Sequence, residues 1–211
     1  MRRLPFALPL ALVLATSGCS TVYYAAMSQL GWAKADLLAN RVQQARDAMH
    51  QAKTQFADAL PQFAAARTQS GGDRAARHEV LRASYDDSAA SAKLIAKRRA
   101  AVEKAAAALF GEWQHEITEA ADAGLRSRRQ QHYDTFRRPY DRLLDAMRSA
   151  EASASPVLDA MKAALAALPA AGVATAPPPG VDPADGDRLI RSLQLAVALA
   201  DPYVAALETA D

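Results

Sequence analysis

Four histidines, His50, His78, His115 and His132, are the side chains of this chain best suited to proton transfer or metal binding. A metal site on a helix needs two ligands on one face, three or four residues apart. His78-Glu79 and His115-Glu116 begin like a zinc-protease helix, but the residues four after the histidines are Arg82 and Glu119. No metal site and no cofactor is therefore expected. Paired acids such as Asp86-Asp87 point to different sides of a helix and read as solvated. No Gly-rich loop follows a strand, so a phosphate cradle is not expected either. A hydrolytic centre would require the fold to carry His115 or His132 to a serine and an acid, and the spacing alone places none together. The chain is expected not to be an enzyme.

Two other groups of residues could do chemistry of a different kind. Arg126, Arg128, Arg129, Arg137, Arg138 and Arg142 crowd one segment that holds only Asp134 and Asp141 as acids, a local balance of +4. Such a segment suits anionic lipid headgroups, lipopolysaccharide phosphates or an acidic protein partner. The competing reading, which is preferred, is a solvated face paired with acids on the first helices. The second group centres on Cys19, the single cysteine, which excludes an intrachain disulfide.

What precedes Cys19 has the form of a secretion leader: Arg2 and Arg3, an apolar run from Leu4 to Ala15, then Thr16-Ser17-Gly18-Cys19. Twelve residues rise about 18 Å as a helix, too short for a hydrocarbon core of about 30 Å. The closing residues resemble the lipobox of bacterial lipoproteins, with Thr16 where leucine is usual. The resemblance implies removal of residues 1–18 and lipid attachment at Cys19. With two or more acyl chains the anchor is stable. Ser20, rather than Asp, after the cysteine implies the periplasmic face of the outer membrane over the inner one. Tyr23, Tyr24 and Trp32 follow closely and suit either a bilayer interface or the end of a helical bundle. Removing Arg2 and Arg3 also leaves equal numbers of basic and acidic side chains, so no global field favours nucleic acid.

Alanine is abundant, and aromatic and β-branched residues are few, which favours helix over strand. The chain divides into a leader at 1–18, an anchor and juxtamembrane segment at 19–33, and a helical body at 34–168. A linker or loop rich in Pro, Ala and Gly at 169–186 and a C-terminal helix at 187–211 complete it. In the first helix, Lys34 to Thr68, nine residues from Ala35 to Phe63 repeat at 3-4 spacing, with Pro61 expected to kink or end it. Ser70-Gly71-Gly72-Asp73 is a turn with Asp73 as N-cap. A second helix runs from Arg74 to Ala123 with a seam from Leu81 to Glu116, interrupted by Arg99. That arginine must either snorkel or meet an acid on a neighbouring helix. Gly124 marks the next break. The third stretch, Leu125 to Leu168, carries a stripe from Phe136 to Leu168, and Pro139 and Pro156 make it one interrupted helix or two. A last helix covers Asp187 to Leu199, before Pro202. The fold expected is all-α, an elongated antiparallel helical bundle of long, coiled-coil-like helices.

Several landmarks then occur in order: Gly31-Trp32-Ala33-Lys34-Ala35-Asp36, Ala45-Arg46-Asp47-Ala48, Gly71-Gly72-Asp73, Ala108-Leu109-Phe110-Gly111-Glu112-Trp113 and Ala146-Met147-Arg148-Ser149-Ala150-Glu151. Over residues 22 to 168 the chain resembles an uncharacterised family of proteobacterial lipoproteins with a domain of unknown function. The resemblance implies a helical, membrane-anchored periplasmic protein and supplies no activity. The expected function is an envelope scaffold or adaptor that meets the membrane through its anchor and an envelope protein or anionic lipid through its body. The alternative is a periplasmic carrier or holdase gripping apolar ligands between helices, with Met49, Met147 and Met161 yielding. The sequence assigns no oligomeric state.

Overall fold

The computed structural model describes residues 19–67, 73–168 and 179–209, with side chains from residue 33 onward, Arg74 apart. The leader and residues 169–178 of the linker lie outside the described residues. Four helices make up the fold: α1 (Cys19–Ala66), α2 (Arg74–Thr118), α3 (Ala123–Ala167) and α4 (Pro183–Glu208). Among the described residues there is no strand. Each helix packs against the next and α4 packs back on α1, which is an antiparallel four-helix bundle. With 45 residues, α2 and α3 are each about 67 Å long, so the bundle is elongated as expected.

The heptad positions of α1 are its buried positions. Ala35, Leu38, Val42, Ala45, Met49, Ala52, Phe56, Ala59 and Phe63 all lie in the core. The stripe of α3 likewise buries Phe136, Tyr140, Leu143, Met147, Ala150, Ala154, Val157, Met161 and Ala164. From α2 come Leu81, Ile95, Val102, Ala106 and Leu109, and from α4 Leu189, Leu193, Ala196 and Ala200. Alanine at so many seam positions lets the helices approach closely. The buried Ser88 satisfies its hydroxyl on the Ser84 carbonyl within its own helix, at 2.8 Å.

The starts of α2, α3 and α4 are capped by aspartates. Asp73 accepts from the Ala76 N–H at 3.1 Å, Asp122 from Leu125 at 2.8 Å and Asp182 from Ala184 at 2.8 Å. The first was expected. The second moves the α2–α3 break to residues 119–122, so α2 ends before Ala123 and Gly124 sits inside the first turn of α3. The third shortens the linker: Pro183 opens α4 four residues earlier than expected, in the first turn where its missing N–H is harmless.

At Pro202 the sequence expectation fails, and at the other prolines the helix does not end. Pro61, Pro139, Pro156 and Pro202 all lie inside continuous helices. Each removes the N–H that would bond the carbonyl four residues earlier. Those carbonyls belong to Ala57, Thr135, Ala152 and Ala198, every one an exposed residue. Water can serve them, and the core side of the helix is untouched. A proline on the outer face of a helix pinned by a long apolar seam therefore does not end it. α3 is one helix through both prolines, and α4 runs beyond Pro202 to pack Tyr203, Val204 and Leu207 in the core. The C-terminal helix is thus a full member of the bundle.

Candidate functional site

The four helices do not end together. α4 has 26 residues against 48 in α1 and 45 in α3. Its last turn meets α1 through Gln43 and Glu208 (3.2 Å) and its Tyr203 ring lies 6.3 Å from that of Tyr140 on α3. Beyond that level, among the described residues, only α1, α2 and α3 continue. This end of the bundle holds the beginning of α1 and most of the residues with unusual chemistry.

An ionic layer crosses it. Lys34 Nζ on α1 lies 2.6 Å from Glu112 Oε2 on α2, and the Glu112 side chain is only 8% exposed. The contact is an ion pair rather than a well-aligned hydrogen bond, because Glu112 Oε2 has no partner of hydrogen-bond geometry. One turn on, Glu116 is half-buried. Burial holds its carboxyl above the usual range, opposed by Arg129 and reinforced by the nearby Glu112.

An aromatic cluster lies beside this layer. Trp113 of α2 meets His132 at 4.6 Å and Phe136 at 5.5 Å between ring centroids, both on α3. Phe110 continues the cluster to Tyr133 (5.5 Å) and Tyr140 (5.2 Å). His132 is exposed as a residue but packs its ring against Trp113 and Phe136, and that desolvation lowers its pKa. Its described neighbours are rings, not a serine and an acid. His115 is exposed near the end of α2. Among the described residues no group of three or more His, Cys, Asp and Glu could hold a metal ion.

The six arginines do not form one patch. Arg126 donates to the Ala120 carbonyl in the α2–α3 connection at 3.2 Å and Arg129 to the Glu116 carbonyl in the last turn of α2 at 2.5 Å, so these two serve carbonyls at and just beyond the end of α2. Arg137 bonds Asp141 one turn along and covers the Phe110 and Tyr140 rings at 5.2 and 5.5 Å. Asp141 foremost raises its pKa. Arg138 stands 3.8 Å from Asp134. Arg128 and Arg142 are exposed. Of the acids of the first helices, Glu116 on α2 feels Arg129. The other partners are acids of α3 itself, the carbonyls of Glu116 and Ala120, and aromatic faces.

Arg99 does find acids. Its Nε lies 2.5 Å from Glu151 on α3 and its Nη1 2.7 Å from Glu103, whose other oxygen takes Arg148 at 2.8 Å. Its pKa is raised, chiefly by Glu151. Of the anchor-side residues, Cys19, Tyr23, Tyr24 and Trp32 all lie within α1, and their side chains lie outside the described residues. The Lys34–Glu112 pair escaped the sequence reading because Glu112 is off the seam. The only signal was a lysine and a glutamate at positions that become level once α1 and α2 pair.

The fold and this end together define a four-helix bundle with a three-helix extension. The matching family model is described as "Protein of unknown function (DUF2959)" and covers residues 23–176. The chain belongs to that family. The matched residues contain α2 and α3 and nearly all of α1, and α4 lies beyond them. No curated protein and no solved structure matches the chain.

Proposed function

We propose that the chain is a non-enzymatic lipoprotein, anchored through lipid on Cys19 to the periplasmic face of the outer membrane, and that it serves there as a scaffold or adaptor. The observation that carries this reading is the continuity of α1. The cysteine that follows the lipobox-like residues lies in α1, which runs without a break to Ala66. A lipid on Cys19 would therefore join the bundle through helix rather than through a flexible linker. Forty-eight residues span about 72 Å, a reach that suits a spacer or a platform for envelope partners.

The test is mass spectrometry of the N-terminal peptide from the full chain expressed in a Gram-negative host, with fractionation of its membranes. Diacylated or triacylated Cys19 in the outer-membrane fraction is expected, with release to the soluble periplasm for Cys19→Ser. An unmodified Cys19, or a leader retained intact, would overturn the reading. The carrier alternative has less support. Met49, Met147 and Met161 are completely buried, so a ligand could reach them only by parting the helices.

A further inference from the structure

We propose that Arg41 and Arg98 form a phosphate-binding site across the α1–α2 interface, in which a phosphate oxygen takes the place of the Gln44 carboxamide oxygen. Both guanidiniums converge on that one neutral atom. Arg41 Nη1 donates to Gln44 Oε1 at 3.1 Å within α1, and Arg98 Nη1 donates to the same oxygen at 2.6 Å from α2. Two cations this close repel each other, and a single amide dipole does not neutralise them. Among the described residues neither arginine has an ion pair. The acids near them are engaged or turned away. Asp47, one turn from Gln44, is held by Arg46, and Glu103, near Arg98 in sequence, is held by Arg99 and Arg148. Asp36 precedes Arg41 by five residues, which places it on another side of the helix. Lys97 and Lys104 stand exposed on the neighbouring face of α2 and add two further cations.

Arg98 is under-served in a second way. Its Nε is buried with no acceptor, whereas buried donors in folded proteins are nearly always satisfied. The residues one and two turns along from the arginines are buried too, Ala45 and Ala48 on α1 and Val102 and Ala105 on α2. The guanidiniums therefore sit at the edge of a dry seam, where an anion is held more strongly than in open water. A multi-oxygen anion can reach both Nη donors of Arg98 and Nη1 of Arg41 together, which one carbonyl oxygen cannot. A phosphate monoester carries nearly two negative charges, matching the two arginines. Its tetrahedral oxygens also suit donors that arrive from two different helices. Gln44 lies about 37 Å along an unbroken helix from Cys19. With α1 standing off the membrane as a spacer, as in the anchored reading above, that distance places the site beyond the headgroups. The phosphate is then carried by a soluble molecule.

The experiment is isothermal titration calorimetry of the full chain, purified in detergent, with inorganic phosphate and with glycerol phosphate at an ionic strength held constant with chloride. Saturable binding to the parent is expected, weakened about tenfold or more by Arg98→Met. Gln44→Glu puts a carboxylate on both arginines, so it should bind neither ligand and should unfold at higher urea than the parent. A Gln44→Glu chain that still binds phosphate, or that is less stable than the parent, would overturn the site, as would a parent without saturable binding. Co-sedimentation with phosphatidylglycerol vesicles that Gln44→Glu abolishes, without binding of either soluble ligand, would overturn the soluble source. Cys19→Ser should bind both ligands as the parent does, so failure of the lipid anchor and failure of this site are read separately.

Discussion

Replacing Arg99 by Met should destabilise the bundle by about 2 kcal/mol. The side chain sits at a seam position of α2 and is 21% exposed. It makes two charge-assisted bonds, to Glu151 across the α2–α3 interface and to Glu103 in its own helix. Such bonds contribute about 1.5–3 kcal/mol each when well formed. Glu103 and Glu151 are 30% and 34% exposed, so water can partly resolvate them once the arginine is gone, and Arg148 still neutralises Glu103. Those two compensations bring the expected loss below the summed range of about 3–6 kcal/mol. Methionine retains the apolar stem, which isolates the charge. The assay is urea unfolding followed by circular dichroism at 222 nm, with linear extrapolation. In a double-mutant cycle with Glu151→Gln, the coupling should be about 1–2 kcal/mol. A buried ion pair can also be worth less than an apolar substitute. If Arg99→Met is as stable as the parent, or more stable, the arginine does not hold α2 to α3 and the reasoning fails.

Pro202→Ala should stabilise the bundle by about 1–3 kcal/mol, because it restores a bond to the Ala198 carbonyl and relieves an interior proline in α4. A loss of 1 kcal/mol or more in the same urea titration would mean that the packing of Tyr203 depends on the proline. His132 should make stability fall as pH drops. Its folded pKa lies below 6.5, so the unfolded chain takes up the proton first, and the loss begins near pH 6.5 and ends once pH is below the folded value. His132→Phe should flatten that part of the pH–stability curve, and an unchanged curve would remove burial of the imidazole as the cause.

The seams were legible because heptad spacing and burial are the same geometric fact seen from two sides. Every apolar residue singled out between Ala35 and Phe63 is buried. Asp73 was legible as a cap because aspartate after two glycines has few other uses. Pro202 was misread as lying beyond the last helix because a proline's effect depends on which face it occupies, and that face is settled only by the neighbouring helices. Asp122 was overlooked beside Gly124 for a related reason: the glycine has the stronger turn preference, but the carboxylate makes the bond. The arginine segment shows the limit most plainly. Composition registered six like charges, and only the folded arrangement sends two to carbonyls at and just beyond the end of α2, one to aromatic faces and one towards Asp134. The short fourth helix, which leaves one end of the bundle three-stranded, has no local signature at all, since it is a difference between element lengths.

The uneven placement of aromatic residues has an optical consequence. The chain has two tryptophans. Trp32 lies in the first part of α1, and Trp113 lies opposite the start of α3. The far end, where α1 runs into the α1–α2 turn, packs Phe56 and Phe63 instead. Tryptophan emission, excited selectively over tyrosine, therefore watches one end of a rod of about 67 Å and is blind to the other. Fraying at the α1–α2 turn would pass unseen, whereas any loosening around Trp113 would register before the helices separate.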